Sequence, residues 1–332
     1  MPPVPLFAAE EMGPFLKLVD AVWLNPQWLA ERASVWVVPL WEAALAITVL
    51  VVFCKVLAWV QPKTYAVAIT TAKEGVYQPL FYLILLGGSF MLGISVFISY
   101  YTFGEDVKMV KDAGLTLIMI LSIILALWTA STSIADEIEG RTALTLLSKP
   151  ISRRQFIVGK FVGITLPVAI TFVVLGTLFL YAIAYKVGYD AKESGTPDFN
   201  EADRMKETVQ VMPGLVLAFF EAVVITAISV AISTRLPMLP NLLICASVYV
   251  LGHLAPMLVE EGLGGKNELV GFIAQLLATI LPNLDTFNIY AAVSTGATVP
   301  LLYLAGAFLY CLLYSTMVLF VALIMFEDRD LA

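Results

Sequence analysis

The stretch that decides the fold is residues 136–160, DEIEGRTALTLLSKPISRRQFIVGK, a charged island between two long apolar runs. Residues 113–134 precede this island and residues 161–185 follow it without a single charged side chain. An uncharged apolar run of about 18 or more residues is long enough to cross the roughly 30 Å hydrocarbon core of a bilayer as a helix. The island is therefore predicted to be a short loop that joins two membrane-spanning helices.

The first half of the island has the pattern of a short amphipathic helix. Glu137 and Arg141 are spaced i and i+4, in the favourable order for a charged pair on one helix face. Gly140, Leu144 and Leu147 share another face, which is small and apolar. We expect this helix to lie parallel to the membrane surface.

The second half of the island breaks this helix and starts another. Pro150 disfavours helical geometry in the residue before it, so the first helix ends there. Ser152, followed three residues later by Gln155, has the form of a capping box, which predicts a new helix from about Arg153. Two interpretations of the island stay open: a docking helix for a soluble partner, or a solvated loop that only follows the charge-orientation rule.

Composition places the whole chain in the membrane. Of its 332 residues, 60% are hydrophobic and 14% are charged, and the mean hydropathy is +0.90; soluble domains average about 25% charged residues. The net charge of −7 argues against nucleic acid as a partner, because nucleic-acid binding calls for basic patches. The cysteines lie in apolar runs and are interpreted as small buried side chains rather than as a disulfide or metal set: Cys54, Cys245 and Cys311.

The chain is predicted to be an all-α, polytopic membrane bundle of about seven spans. We divide it into an interfacial segment at 1–34, an additional span at 35–60 and a transmembrane domain at 61–332. The apolar piece at 269–281 is too short to cross and is expected to be re-entrant or interfacial. The predicted spans are 35–60, 79–103, 113–134, 156–185, 211–234, 241–258 and 300–326.

The island resembles the cytoplasmic loop of ABC transporter type-2 permeases, in the subgroup of stand-alone permeases that includes gliding-motility and copper-site-maturation exporters. In that family an acidic pair precedes a Gly/Arg-Thr turn, followed by a Leu-Leu-Ser and Pro-Ser-Arg run and a Gly-Lys pair. The matching residues here are Glu137, Glu139, Gly140, Arg141 and Thr142, then Leu146, Leu147, Ser148, Lys149, Pro150, Ile151, Ser152 and Arg153, then Gly159 and Lys160.

The resemblance implies a six-helix core from residue 79 onward, an elbow helix at 61–78 and a coupling helix that docks into a separate ATPase. It implies two ATPase subunits, which use ATP and Mg, and a second permease subunit, either another copy or a paralogue. It also implies export between the two permease subunits, with membrane lipid around them. The ATPase-docking loop would comprise Glu137, Glu139, Gly140, Arg141, Thr142, Leu144, Leu147, Ser148, Pro150 and Arg153.

Lysine and arginine counts in the short loops set the expected orientation. Five basic residues lie in the island, which we place in the cytoplasm of a bacterial cell. The loops 104–112, 186–210 and 259–299 then fall outside the inner membrane, and acidic residues outnumber basic ones in each. With seven spans, the N-terminus is outside and the C-terminus is cytoplasmic.

The sequence encodes no energy source and no catalytic motif. No stretch matches the phosphate-binding loop G-x-x-x-x-G-K-[ST]. His253 is the only histidine, so a histidine metal cluster is absent, and we interpret His253 as a packed or cavity-lining residue. The chain is expected to bind no cofactor or metal and to be no enzyme. The alternative function is a non-transporting membrane scaffold or anchor subunit of a larger complex.

One ionisable residue lies near the middle of a predicted span. This residue is Glu221. An ionisable side chain inside the bilayer is energetically costly, and such residues usually face a cavity or a partner. Two interpretations stay open: Glu221 faces the translocation path or the permease interface, or it is a protonated carboxyl group hydrogen-bonded to a neighbouring span.

Overall fold

The computed structural model describes residues 34–98, 106–135, 151–193, 201–264, 272, 275–276, 278–289, 293 and 299–327. Every regular element in these residues is helical. Short 3-10 turns at Val35–Val37 and Leu284–Phe287 and a π-helical turn at Ser131–Ala135 accompany the main helices. These helices are α1 (Val38–Val60), α2 (Pro62–Tyr77), α3 (Pro79–Ser95), α4 (Asp106–Ala130), α5 (Arg153–Glu193), α6 (Glu201–Val209), α7 (Met212–Ser233), α8 (Met238–Gly264) and α9 (Leu301–Glu327).

The predicted all-α, polytopic architecture is confirmed. By length and composition, six helical stretches are able to cross a membrane, and there are seven if α2 and α3 together form one bent span. These two helices meet at an angle of 60° around Gln78. The predicted segment 1–34 lies outside the described residues, and the apolar piece at 269–281 is only partly described.

Proline starts several of the helices. A proline occupies the first turn of α1, α2, α3 and α7, where its missing N–H leaves no hydrogen bond unmade and its fixed φ already suits a helix. The boundary between α2 and α3 follows from this rule, because Pro79 begins a new helix and keeps Gln78 extended. The residues are Pro39, Pro62, Pro79 and Pro213.

The core of the bundle is built from α4, α5 and α7. The apolar stretch that includes α7 has 72% of its residues buried inside the chain, whereas the corresponding stretches of α8 and α9 have 22% and that of α1 has none. Helices α8 and α9 therefore lie at the periphery, and the apolar stretch of α1 contains no fully buried residue. Much of the surface of α1 is available to lipid or to another protein.

Three spans begin or end further out than predicted, and one of them is α8, which runs from Met238 to Gly264 instead of from 241 to 258. Helix α4 starts at Asp106 instead of residue 113, and α5 continues to Glu193 instead of residue 185. The charged residues that suggested loops are paired inside the bundle: Lys111 with Glu207, and Lys186 with Asp190 at 3.1 Å. A buried ammonium group is tolerated when a carboxylate compensates its charge. A short helix, α6, lies within the predicted loop 186–210.

Helices α2 and α5 approach closely where α2 crosses the first half of α5. A Cβ atom added to Gly163 would lie 2.6 Å from the carbonyl oxygen of Ala68 and 2.6 Å from the Cβ atom of Thr71. A Cβ atom added to Gly159 would lie 2.7 Å from the Cβ atom of Val67. Glycine at these positions is what permits the backbones of α2 and α5 to come this close.

The variant Gly163→Ala is expected to destabilise the protein by about 1–3 kcal/mol, because its new methyl group meets backbone atoms that cannot rotate away. Gly87→Ala is the matched control, since a Cβ atom there meets nothing within 4 Å. Thermal unfolding in detergent micelles measures both variants. Equal melting temperatures for the two would show that the α2–α5 contact is not sterically tight.

Candidate functional site

The predicted docking loop connects α4 to α5. Residues 136–150 of this loop lie outside the described residues, so the structure adds nothing on Glu137, Glu139, Gly140, Arg141, Thr142, Leu144, Leu147, Ser148 and Pro150. The structure does describe both ends of the loop. The π-helical turn Ser131–Ala135 leads into it, and Arg153 begins the helix that follows it.

The start of α5 has the predicted capping box. The backbone N–H of Gln155 donates to Ser152 Oγ at 3.3 Å, and the backbone N–H of Ser152 donates to Gln155 Oε1 at 3.1 Å. Two backbone donors that the helix leaves unpaired are thereby satisfied by side chains. The predicted helix start at Arg153 is confirmed.

Three helix ends meet beside this cap. The guanidinium group of Arg153 lies 5.9 Å from the centre of the Phe326 ring, and the rings of Phe156 and Phe326 stack at 5.7 Å. Lys160 is buried and lies 3.9 Å from Glu74, near the end of α2. The end of α2, the start of α5 and the end of α9 therefore form one face, which adjoins residues 136–150.

A buried polar cluster lies behind the same face. The side-chain nitrogen of Asn241, in the first turn of α8, lies 2.9 Å from Ser131 Oγ, 2.9 Å from Ser229 Oγ and 3.0 Å from Ser233 Oγ, so its two hydrogens are donated among these three hydroxyls. The thiol of Cys245 donates to Asn241 Oδ1 at 3.3 Å. Hydrogen bonds of this kind hold helices together in lipid.

We call this group the Asn241 cluster; it joins the π-helical turn, the end of α7 and the start of α8. Sequence reasoning missed it, because single serines in apolar helices do not reveal which of them share a partner. The available signal was an asparagine and three serines close to span ends. The π-helical turn leads directly into residues 136–150. The cluster therefore holds the helix end that precedes the predicted docking loop.

Glu221 lies inside the helix bundle, near the middle of α7. Its side chain is fully buried, and its Oε1 is 3.3 Å from Nε2 of His253 on α8, whose side chain is 22% exposed. The two atoms are in ion-pair contact without the alignment of a hydrogen bond, and neither carboxylate oxygen has a hydrogen-bond partner among the described residues. Sequence reasoning singled out both residues but did not bring them together.

A separate cavity of about 360 Å³ lies between α1 and the bundle. Its wall is apolar and includes Leu45 and Val49 of α1, Phe172 of α5 and Phe219 of α7. Glu42 is the one charged residue in this wall, and Glu221 does not take part in it. Within the described parts of the chain, no group of three or more His, Cys, Asp or Glu side chains is placed to hold a metal ion.

The variant Asn241→Leu is expected to lower stability by about 1–2 kcal/mol, because hydrogen bonds between membrane helices contribute about 0.6 kcal/mol each. Ser247→Ala is a control on the same helix, since that hydroxyl donates only to the carbonyl of Leu243 in its own helix. Thermal unfolding in detergent is the measurement. A melting temperature for Asn241→Leu no lower than that of the control would mean that the cluster does not stabilise the fold.

Comparison with known proteins agrees with this architecture. A family model described as "ABC-2 family transporter protein" matches residues 42–331. The matched range begins inside α1 and includes residues 136–150 together with every helix that follows them. No curated protein matches the chain. Since the matched range covers most of the 332 residues, the chain belongs to the ABC-2 transporter family, whose members are membrane permease components of ABC transporters.

Proposed function

We propose that this chain is the permease subunit of an ATP-driven exporter in which a separate subunit hydrolyses ATP. The observation that carries the proposal is the position of residues 136–150 between α4 and α5, two helices of the bundle core. A force applied to that segment reaches the core helices directly. The chain itself contains no phosphate-binding loop, so ATP and Mg are assigned to the partner.

The docking element of this proposal is the amphipathic helix of residues 136–150. Leu144 and Leu147 supply its apolar contact with the ATPase, while Glu137 and Arg141 stabilise the helix as an i, i+4 pair. Pro150 ends the helix. The remaining proposed docking residues are Glu139, Gly140, Thr142, Ser148 and Arg153.

Coupling in this proposal is a rigid-body movement of packed helices. Closure of the ATPase on nucleotide moves the docking helix, and α4 and α5 move with it. Helix α2 follows α5, because the contact at Gly163 leaves no space for independent sliding. The Asn241 cluster extends the movement to α7 and α8.

The proposed assembly contains two permease subunits and two ATPase subunits. The second permease is another copy of this chain or a paralogue, and the substrate leaves the cytoplasm between the two. The outward apolar surface of α1 and the sparsely buried α8 and α9 supply area for lipid and for the second permease. The chain resides in the bacterial inner membrane, with its N-terminus outside and its C-terminus in the cytoplasm.

Replacing Leu144 and Leu147 by aspartate is expected to abolish copurification of a co-expressed ATPase and its coupled ATP hydrolysis. Each buried leucine contributes about 1.5–3 kcal/mol, so the loss of both weakens binding by roughly a hundredfold or more. Leu236→Asp is the control, because Leu236 is exposed in the α7–α8 turn, outside the docking loop. Undiminished copurification and coupled hydrolysis in the double variant would contradict the docking role and favour a scaffold.

Single cysteines introduced into a chain without its native Cys54, Cys245 and Cys311 test the orientation. Arg154 and Glu201 are exposed at opposite ends of the bundle. A membrane-impermeant maleimide is expected to label Glu201→Cys in intact cells and Arg154→Cys only after permeabilisation. Labelling of Arg154→Cys in intact cells would place residues 136–160 outside the cell and rule out an ATPase at that loop.

A further inference from the structure

The contact between Glu221 and His253 fixes the number of protons that the two side chains hold. Nδ1 of His253 lies 3.1 Å from the carbonyl oxygen of Tyr249. A carbonyl oxygen only accepts hydrogen bonds, so Nδ1 is the nitrogen that carries a hydrogen. In a neutral imidazole the other nitrogen, Nε2, then carries none. This is the nitrogen that faces Glu221 Oε1 at 3.3 Å.

A bare Nε2 and an ionised carboxylate would repel each other at this distance. The contact is favourable when one further proton is present, either on Nε2 as an imidazolium beside a carboxylate or on Glu221 as a carboxylic acid beside a neutral imidazole. Both arrangements contain the same number of protons and have no net charge. A pair without net charge is the form that a buried site in a membrane protein tolerates.

We infer that Glu221 and His253 form a proton-binding site inside the membrane, and that the single proton they share holds α8 against α7. The inference concerns contacts within one chain and does not depend on an ATPase partner. It predicts that the packing of α8 responds to protonation of this pair.

The other titratable groups around the pair come from three elements. Asp285, in the 3-10 turn Leu284–Phe287, is close enough to Glu221 to interact with its charge, and so is Tyr249 of α8. Helix α9 directs its tyrosines to the segment that contains Asp285: Tyr303 donates to the carbonyl oxygen of Thr286 at 2.6 Å. Among the described residues, Glu221 has no ion-pair partner other than His253.

Further titratable groups of α9 lie close by. The Tyr310 hydroxyl accepts from the backbone N–H of Asn283 at 2.8 Å, and Tyr314 donates to the carbonyl oxygen of Ile280 at 3.1 Å. The thiol of Cys311 is 3.5 Å from the carbonyl oxygen of Phe220. Helix α5 meets α7 here through an aromatic contact between Phe172 and Phe219 at 5.5 Å. Asp285 is thus a further carboxylate near the pair.

Helix α8 is buried less than the core helices. The Asn241 cluster holds its first turn, and Val248 and Tyr249 pack against the core in the middle of its length. Near His253 the neighbouring contact is that of Gly252, where an added Cβ atom would lie 2.9 Å from Leu284. Removal of the shared proton leaves a buried carboxylate opposite a bare nitrogen. Alkaline pH is therefore expected to loosen α8.

The single histidine allows a direct test on the full-length chain. Protein labelled with ¹⁵N-histidine and reconstituted in phospholipid bilayers gives one pair of ring-nitrogen signals by solid-state NMR. We expect a protonated Nδ1 and, at about neutral pH, an Nε2 whose signal departs from that of a bare imidazole nitrogen because Nε2 faces the shared proton. A bare Nε2 signal in the wild-type protein would overturn the inference.

Two variants separate the shared proton from a general effect of polarity. Glu221→Gln removes the carboxyl group that shares the proton, so the extra proton is expected to be absent from Nε2 at about neutral pH. Asp285→Asn, the control, removes a nearby carboxylate that is not in contact with His253 and is expected to preserve the protonated or strongly hydrogen-bonded signal. An unchanged signal in Glu221→Gln would assign the proton to another partner and contradict the site.

Stability provides a second measurement that needs no labelled histidine. The wild-type protein is expected to melt at a lower temperature at about pH 9 than at about pH 6, and the double variant Glu221→Gln/His253→Gln is expected to lose most of this difference. The exchanged variant Glu221→His/His253→Glu should restore it. A difference that persists unchanged in the double variant would show that other groups cause the alkaline loss.

Discussion

Polar groups that this chain brings into the membrane depend on partners within the protein, because hydrocarbon offers them none. The Asn241 amide satisfies this constraint with three serine hydroxyls. Lys111 satisfies it with Glu207 of α6, and Lys186 with Asp190 of its own helix and with Asp106 of α4 at 3.7 Å. The contacts with Ser131, Glu207 and Asp106 join elements that are distant in sequence, so these polar residues act as specific connections in a bundle whose apolar surfaces alone would permit several arrangements.

These connections are distributed unevenly along the bundle. The pairs of Lys111 and Lys186 lie at the end that contains α6, whereas the Asn241 cluster and the Lys160–Glu74 pair lie at the end that adjoins residues 136–150. Helix α5 passes both ends: its 41 residues extend about 60 Å at 1.5 Å per residue, which is about twice the thickness of the hydrocarbon core. A displacement at Arg153 is therefore transmitted along one continuous helix to the far surface.

The sequence was sufficient for the class of fold, the apolar cores of the spans and the cap at Ser152, because these depend on local composition and spacing. It placed the start of α4 and the end of α5 too far inward. The sequence does not show which carboxylate pairs with a lysine in the fold, so a paired lysine inside a helix was interpreted as a loop residue. The partnership of Glu221 with His253 was hidden for the same reason: the two residues were recognised, but their distance was not. The boundary between the additional span and the permease domain, and the roles of Glu137 to Pro150, remain predictions.

Pro167 gives the long α5 helix an uneven stiffness. It has no N–H, so the carbonyl group of Gly163 loses its usual partner one turn earlier. This missing bond coincides with a close contact of α2, with Gly163 against Ala68 and Gly75 against the Pro167 ring. Helix α2 therefore supports α5 where its backbone hydrogen bonding is interrupted. Bending of α5 at this point without a matching movement of α2 would require the two backbones to separate.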